Sequence, residues 1–193
     1  MTFVTSRRSI LLAMPALIVA GNLPAFARDY VDIPVSSREA ANAINRVRAQ
    51  NGRGPVSLDG DLFDAAEYQA RLMAEYDQIS HELSGERLAG RVRRAGYNGI
   101  AGENLSAGRN SIDAVVEGWM NSPGHRRNML DSRFTEFGLA AAQVPGDRAS
   151  RYRNYWALIL GNPTSSTILP GGGGSGPGFS LNIGGRFRFT FGG

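Results

Sequence analysis

The chain has 193 residues, no cysteine and a formal net charge of +4 at pH 7. Neither a disulfide framework nor a thiolate metal site is available to it, so packing alone must hold the fold. Its basic residues are all arginine and are interspersed with acids, so they form no block of the kind that marks a nucleic-acid binder, and no such partner is expected.

Residues 1–27 read as a cleavable export signal. Ser6-Arg7-Arg8-Ser9-Ile10-Leu11 opens an apolar run, and Ala25-Phe26-Ala27 offers a peptidase an A-x-A site. The paired arginines are of the twin-arginine type, with an ordinary secretory signal as the alternative. The run from Ile10 to Ala20 is shorter than the roughly 20 residues a bilayer span needs. A transmembrane anchor is therefore not expected after cleavage, and the protein is placed in the periplasm or outside the cell.

Residues 28–37 lead into a domain expected over 38–161. Ser36 stands three before Glu39, a capping-box spacing, and Ala40, Ile44 and Val47 recur at helical intervals until Gly52. Asn45 and Arg48 then fall on a flank that reads as solvated. Asp59 can cap a second helix buried through Leu62, Ala66, Ala70 and Met73, with His81 at its end. Ser84 to Ala95 suits a third helix, stopped by Gly96. Ser111 can cap a fourth through Ile112, Val115, Val116 and Trp119, which Pro123-Gly124 ends, leaving His125 at a non-helical start. Phe137 to Val144 and Tyr152 to Leu160 read as antiparallel strands, the second with Trp156, Leu158 and Leu160 on one face. Residues 162–178 form a Gly/Pro/Ser-rich linker, and 179–193 an aromatic, glycine-containing tail in which Gly184-Gly185 could turn a small hairpin. Periodicity alone gives an α+β class.

An ordered series of short patterns goes further: N-x-x-R at Asn45 and Arg48, G-x-x-P-V from Gly52 to Val56, Leu62 with Ala65-Ala66, Ser80-His81, Glu86-Arg87 and Gly96-Tyr97. The series continues through GENL from Gly102 to Leu105, W-x-x-S-P-G-H-R-x-N from Trp119 to Asn128, F-T-E-x-G from Phe134 to Gly138, and Tyr155-Trp156. Over about residues 38–161 the chain resembles the CAP superfamily, or SCP domains, in its cysteine-free bacterial secreted branch. The resemblance implies a three-layer α-β-α sandwich with a mainly antiparallel central sheet, and a cleft lined by His81, Glu103 and His125.

These are the chain's two histidines and an acid midway between them. Two imidazoles and a carboxylate form a set that suits zinc or another divalent metal, with a fourth position open, although the same groups can instead satisfy one another by hydrogen bonds. Asn104, Ser122 and Glu136 join His81, Glu103 and His125 as candidate ligand-binding residues. Many animal and plant relatives carry a second acid where this chain has Ser122, and Glu136 is a candidate replacement. Three functions remain open. The cleft binds a small ligand or metal; or Glu103, His125 or His81 assists hydrolysis of a peptide-like substrate; or the domain binds lipid or cell-wall material. No G-x-S-x-G elbow surrounds Ser80 or Ser122, which argues against a serine nucleophile.

Overall fold

A computed structural model of the protein describes residues 30–164 together with 180–183 and 187–190. Five helices and five strands build the main body in the order β1 (Val31–Ile33), α1 (Ser37–Gln50), β2 (Ser57–Leu58), α2 (Gly60–Glu75), α3 (Leu88–Ala95), β3 (Gly99–Ala107), α4 (Ile112–Met120), α5 (Pro123–Met129), β4 (Glu136–Gln143) and β5 (Asn154–Pro163). The expected side-chain caps form: Ser36 Oγ accepts from Glu39 N, Asp59 Oδ1 from Leu62 N and Ser111 Oγ from Ala114 N. Each satisfies an amide that the first helical turn leaves without an internal partner.

The sheet runs β1-β4-β5-β3, with β2 lying parallel along the start of β4 and every other pairing antiparallel. Because strand side chains alternate, β5 feeds two cores. Trp156, Leu158 and Leu160 pack on one face under α1, α4 and α5 with Ile44, Val116 and Trp119. Tyr155, Ala157 and Ile159 pack on the other under α2 and α3 with Leu62, Met73 and Val92. The result is the three-layer α-β-α sandwich. Helix α2 lies against β4 backbone to backbone: a Cβ at Gly138 would stand 2.2 Å from Leu62 C and Phe63 N. That close approach requires glycine at the end of the F-T-E-x-G pattern.

Several expected boundaries shift, each for a local reason. The third helix begins at Leu88 rather than Ser84, because Ser84 and Gly85 take positive φ of 57° and 75° and leave only a 3-10 turn at Leu83–Gly85. Pro123 opens a helix rather than closing one. It occupies the first turn of α5, where a missing amide costs nothing, and His125 is therefore helical. Helix α2 stops at Glu75, which leaves His81 in the following loop instead of a last turn. Strand β5 continues to Pro163, opposite Gly99, so the first residues assigned to the linker belong to the sheet. Strand β1 pairs within the stretch read as lead-in. The tail strands β6 (Ser180–Ile183) and β7 (Phe187–Thr190) pair antiparallel. The signal at 1–27, the linker beyond residue 164 and the Gly184-Gly185 turn lie outside the described residues.

The flank of α1 is not solvated. Asn45 bridges the backbone of Val56 through both ends of its amide. Arg48, 1% exposed, donates to the carbonyls of Gly54, Met129, Asp131 and Phe134 at 2.7 to 3.2 Å. An exposed-looking N-x-x-R pattern is thus a buried polar clamp joining α1 to the end of α5 and the approach to β4. Replacing Arg48 with Met, similar in length but without donors, should cost about 3 kcal/mol of unfolding free energy by stranding those carbonyls. Urea denaturation of wild type and variant checks this.

Candidate functional site

The site lies at the free edge of β3. Strand alternation sends Glu103 toward the α2/α3 layer and Asn104 toward the α4/α5 layer, and each is buried, at 6% and 0% exposure. An acid sealed in this way needs counter-charge and donors. Arg91 of α3, fully buried, supplies them by donating Nη2–H to Glu103 Oε1. Its Nη1 donates to the carbonyls of His81 and Glu86, both at 3.0 Å. Gln69 of α2 donates to the carbonyl of Ser80. Two buried side chains thereby fix the loop on either side of His81, whose Nδ1 meets Glu103 Oε2 at 2.6 Å. The imidazole itself stays open, its side chain 59% exposed.

His125 reaches the same edge from the opposite layer. Asn104 Nδ2 donates to its carbonyl at 3.0 Å, while Asn128 Nδ2 donates to both Asn104 Oδ1 and the carbonyl of Glu103. These bonds pin α5 against β3. The imidazoles are close enough for the charge of His81 to act on His125. Their proton affinities diverge. The hydrogen bond to Glu103, reinforced by its charge, raises the pKa of His81 against the opposing effect of partial burial. Burial, followed by the neighbouring His81 charge, lowers that of His125.

A hollow of about 500 Å3 opens beside this pair, between α3 and the start of β3. Leu88, Val92 and Ala101 give it apolar walls, and His81, Arg87 and Arg93 bring cationic groups. Glu82, which also lines it, pairs with Arg87 at 3.2 Å. His125 does not line this hollow.

The candidate residues therefore divide. His81 and Glu103 touch, and His125 stands near them. Asn104 is a sealed bridge to α5 rather than a group available to a ligand. Ser122 precedes α5 at its N-cap position without a capping bond from its side chain. Glu136 accepts instead from Tyr97 Oη at 2.9 Å at the start of β4, away from the imidazoles. The metal expectation fits poorly. Among the described residues no three His, Asp or Glu side chains form a group that could hold an ion. Both oxygens of Glu103 are engaged, one of them by a guanidinium that would repel a dication. Arg91 and Gln69 were not anticipated as part of the site. Polar positions inside otherwise amphipathic helices were the available signal.

This layered sandwich, with an acid and two imidazoles gathered where α3, α5 and β3 meet, has the architecture of an SCP domain. The CAP model, described as the cysteine-rich secretory protein family, matches residues 41–160, and the chain belongs to that family. It is 28% identical over 105 residues to the uncharacterized protein YkwD of Bacillus subtilis (strain 168), a match spanning 53% of this chain and 40% of YkwD. It is also 28% identical over 106 residues to the uncharacterized membrane protein YlbC of the same strain, spanning 54% of this chain and 31% of YlbC. The matched length is thus two fifths or less of these relatives. Among solved structures, an extracellular SCP-domain protein from Bacillus anthracis str. Ames aligns with a TM-score of 0.56 at 23% identity, covering 65% of this chain and 40% of that one. An outer surface protein of Borrelia burgdorferi aligns at 0.58 and 18% identity, covering 69% of this chain and 100% of that one. At such identities the structures establish the fold alone.

The histidine shifts have signs that can be checked by following the ring protons through an NMR pH titration. His81 should titrate above and His125 below the ordinary value of 6.5. The contribution of His81 to stability is present below 6.5 and is lost as pH rises through its folded value. That of His125 is present above 6.5 and is lost as pH falls through its own. Glu103→Gln should bring the His81 midpoint down. It should also destabilise the fold by about 3 kcal/mol, because Arg91 is left without its counter-charge.

Proposed function

We propose that the protein is an exported CAP-domain binding protein, acting in the periplasm or outside the cell, whose cleft beside His81 takes a small ligand bearing an anionic group. The observation that carries this reading is the hollow itself. Apolar walls from Leu88, Val92 and Ala101 converge with cationic groups of His81, Arg87 and Arg93, the mixture that a binding pocket uses to bury one end of a ligand and orient the other. Glu103 is better placed to support His81 than to meet a ligand, because its side chain is 2% exposed. Zinc or another divalent metal is not part of this reading, because the described residues gather no set of three His, Asp or Glu side chains to hold it. Lipid or cell-wall fragments with an acidic group remain within the ligand class, and export agrees with the arginine-bearing leader.

One observation favours hydrolysis as a second reading: neighbouring imidazoles whose pKa values move apart can serve as acid and base. In that arrangement His125, neutral, would accept a proton and His81 would donate one, while Glu103 held His81. A peptide and ester panel in which His125→Ala leaves all turnover unchanged rejects it.

Titration with small carboxylates and inorganic phosphate, followed through the His81 ring resonances, tests the binding reading. Saturable shifts are expected that vanish in Arg93→Glu and weaken as pH rises through the His81 midpoint. Absence of any saturable shift in wild type rejects it.

A further inference from the structure

Strand β3 is an edge strand, and its two halves are treated differently. In an antiparallel pair, alternate residues bond to the partner while the residues between them turn their N–H and C=O groups outward. Thr164 N donates to Asn98 O and Gly108 N to Asn154 O, which places the even-numbered residues of β3 on the bonded side facing β5. The odd-numbered residues face away. Two of their carbonyls are capped by side chains from the α4/α5 layer: Glu103 O accepts from Asn128 Nδ2 at 3.1 Å and Leu105 O from Trp119 Nε1 at 3.0 Å. Ala101 has no such cap among the described residues. Gly99, next along the edge, is kept bare because a Cβ there would stand 2.2 Å from Asn162 O.

Both residues line the hollow beside α3. On the other face of the same strand Ile100 is 46% exposed, a large apolar side chain next to the uncovered stretch. The rim adds charge of one dominant sign. Among the described residues Arg93 is exposed and has no acidic partner, and Arg87 is paired with the exposed Glu82 alone. An uncovered edge, apolar surface on both faces and a cationic rim together describe a seat for an added strand.

We propose that the edge of β3 at Gly99–Ala101 receives an extended acidic peptide as an additional strand. Its backbone bonds the outward groups of Ala101, one set of its side chains enters the hollow near Leu88 and Val92, and the other set lies by Ile100. An acidic side chain on the hollow face meets Arg93 and Arg87. This deepens the cleft reading and rests on it only for the shared wall formed by His81 and Glu103.

The test uses the full chain and a fluorescent peptide of alternating Val and Thr with a central Glu. Its comparators are the same peptide with Lys for Glu, and one N-methylated at alternate residues to remove backbone donors. Anisotropy should give saturable binding that weakens about tenfold with Lys and about tenfold with N-methylation, the scale of one lost charge-assisted contact or backbone bond. Ala101→Pro removes an outward N–H without touching the bonds to β5 and should weaken binding similarly. Should that variant fail to fold, the N-methylated peptide asks the same question of the unaltered protein. Amide resonances of Ala101 and Glu103 should move on binding. Equal affinity for the N-methylated peptide, or no binding, overturns the proposal. So does self-association that Ala101→Pro abolishes, since a second copy would then be the occupant. If the peptide moves only the His81 and His125 rings, the edge proposal falls and the cleft reading stands. If small anions do not bind but the Ala101 and Glu103 amides still respond to peptide, the reverse holds.

Discussion

A carboxylate sealed at the edge of a sheet is the constraint around which the site is arranged. Glu103 lies on an edge strand yet is almost wholly removed from water, a position an acid occupies only with compensation. Arg91 provides it and, having more donors than one carboxylate can use, also grips the carbonyls of His81 and Glu86. One guanidinium therefore neutralises the acid and shapes the loop that returns an imidazole to the acid's second oxygen. The pair is weak evidence for stability, because buried ions lose hydration that their mutual attraction only partly restores. Its clearer role is geometric: it fixes an exposed ring over a rigid support.

The two faces of the sheet contribute unlike halves of the arrangement. Glu103 and His81 belong with α2 and α3, whereas Asn104, Asn128 and His125 belong with α4 and α5. Adjacent residues of one strand, Glu103 and Asn104, reach into both layers because the side-chain period is two. Movement of α5 relative to β3 would therefore act on His125 before it disturbed the supported His81.

Much of this was legible in the chain, and the failures have physical causes. Helices α1, α2 and α4 show both a capping residue and an apolar stripe, and β5 shows an unbroken apolar run from Tyr155 to Leu160, so these elements could be placed from pattern alone. The resemblance added the layering and named His81, Glu103 and His125. Strand β3 carries glycine, alanine, asparagine and serine with little β propensity, and it forms because β5 and two helical layers fix it, a tertiary effect invisible locally. Helix α5 was hidden because proline and glycine punctuate both ends and beginnings of helices. Arg48 read as part of a solvated flank and Arg91 drew no reading, since a polar position inside an amphipathic helix does not by itself distinguish an arginine whose donors meet carbonyls from one that meets water. Engagement of Glu103 by Arg91 was equally hidden, and it is why the two imidazoles and the acid that the resemblance brought together fit a metal poorly.

The clamp formed by Arg48 has a bearing on how the molecule opens. Its four acceptors come from a loop after α1, the last residue of α5 and two points on the way into β4, up to 86 positions away along the chain. None of these segments can detach without breaking bonds to the same side chain, which ties them into one cooperative unit in a chain without covalent cross-links. Amides there should share a common exchange rate with deuterated solvent, whereas the loop carrying His81, held from the other layer, is free to exchange on its own timescale.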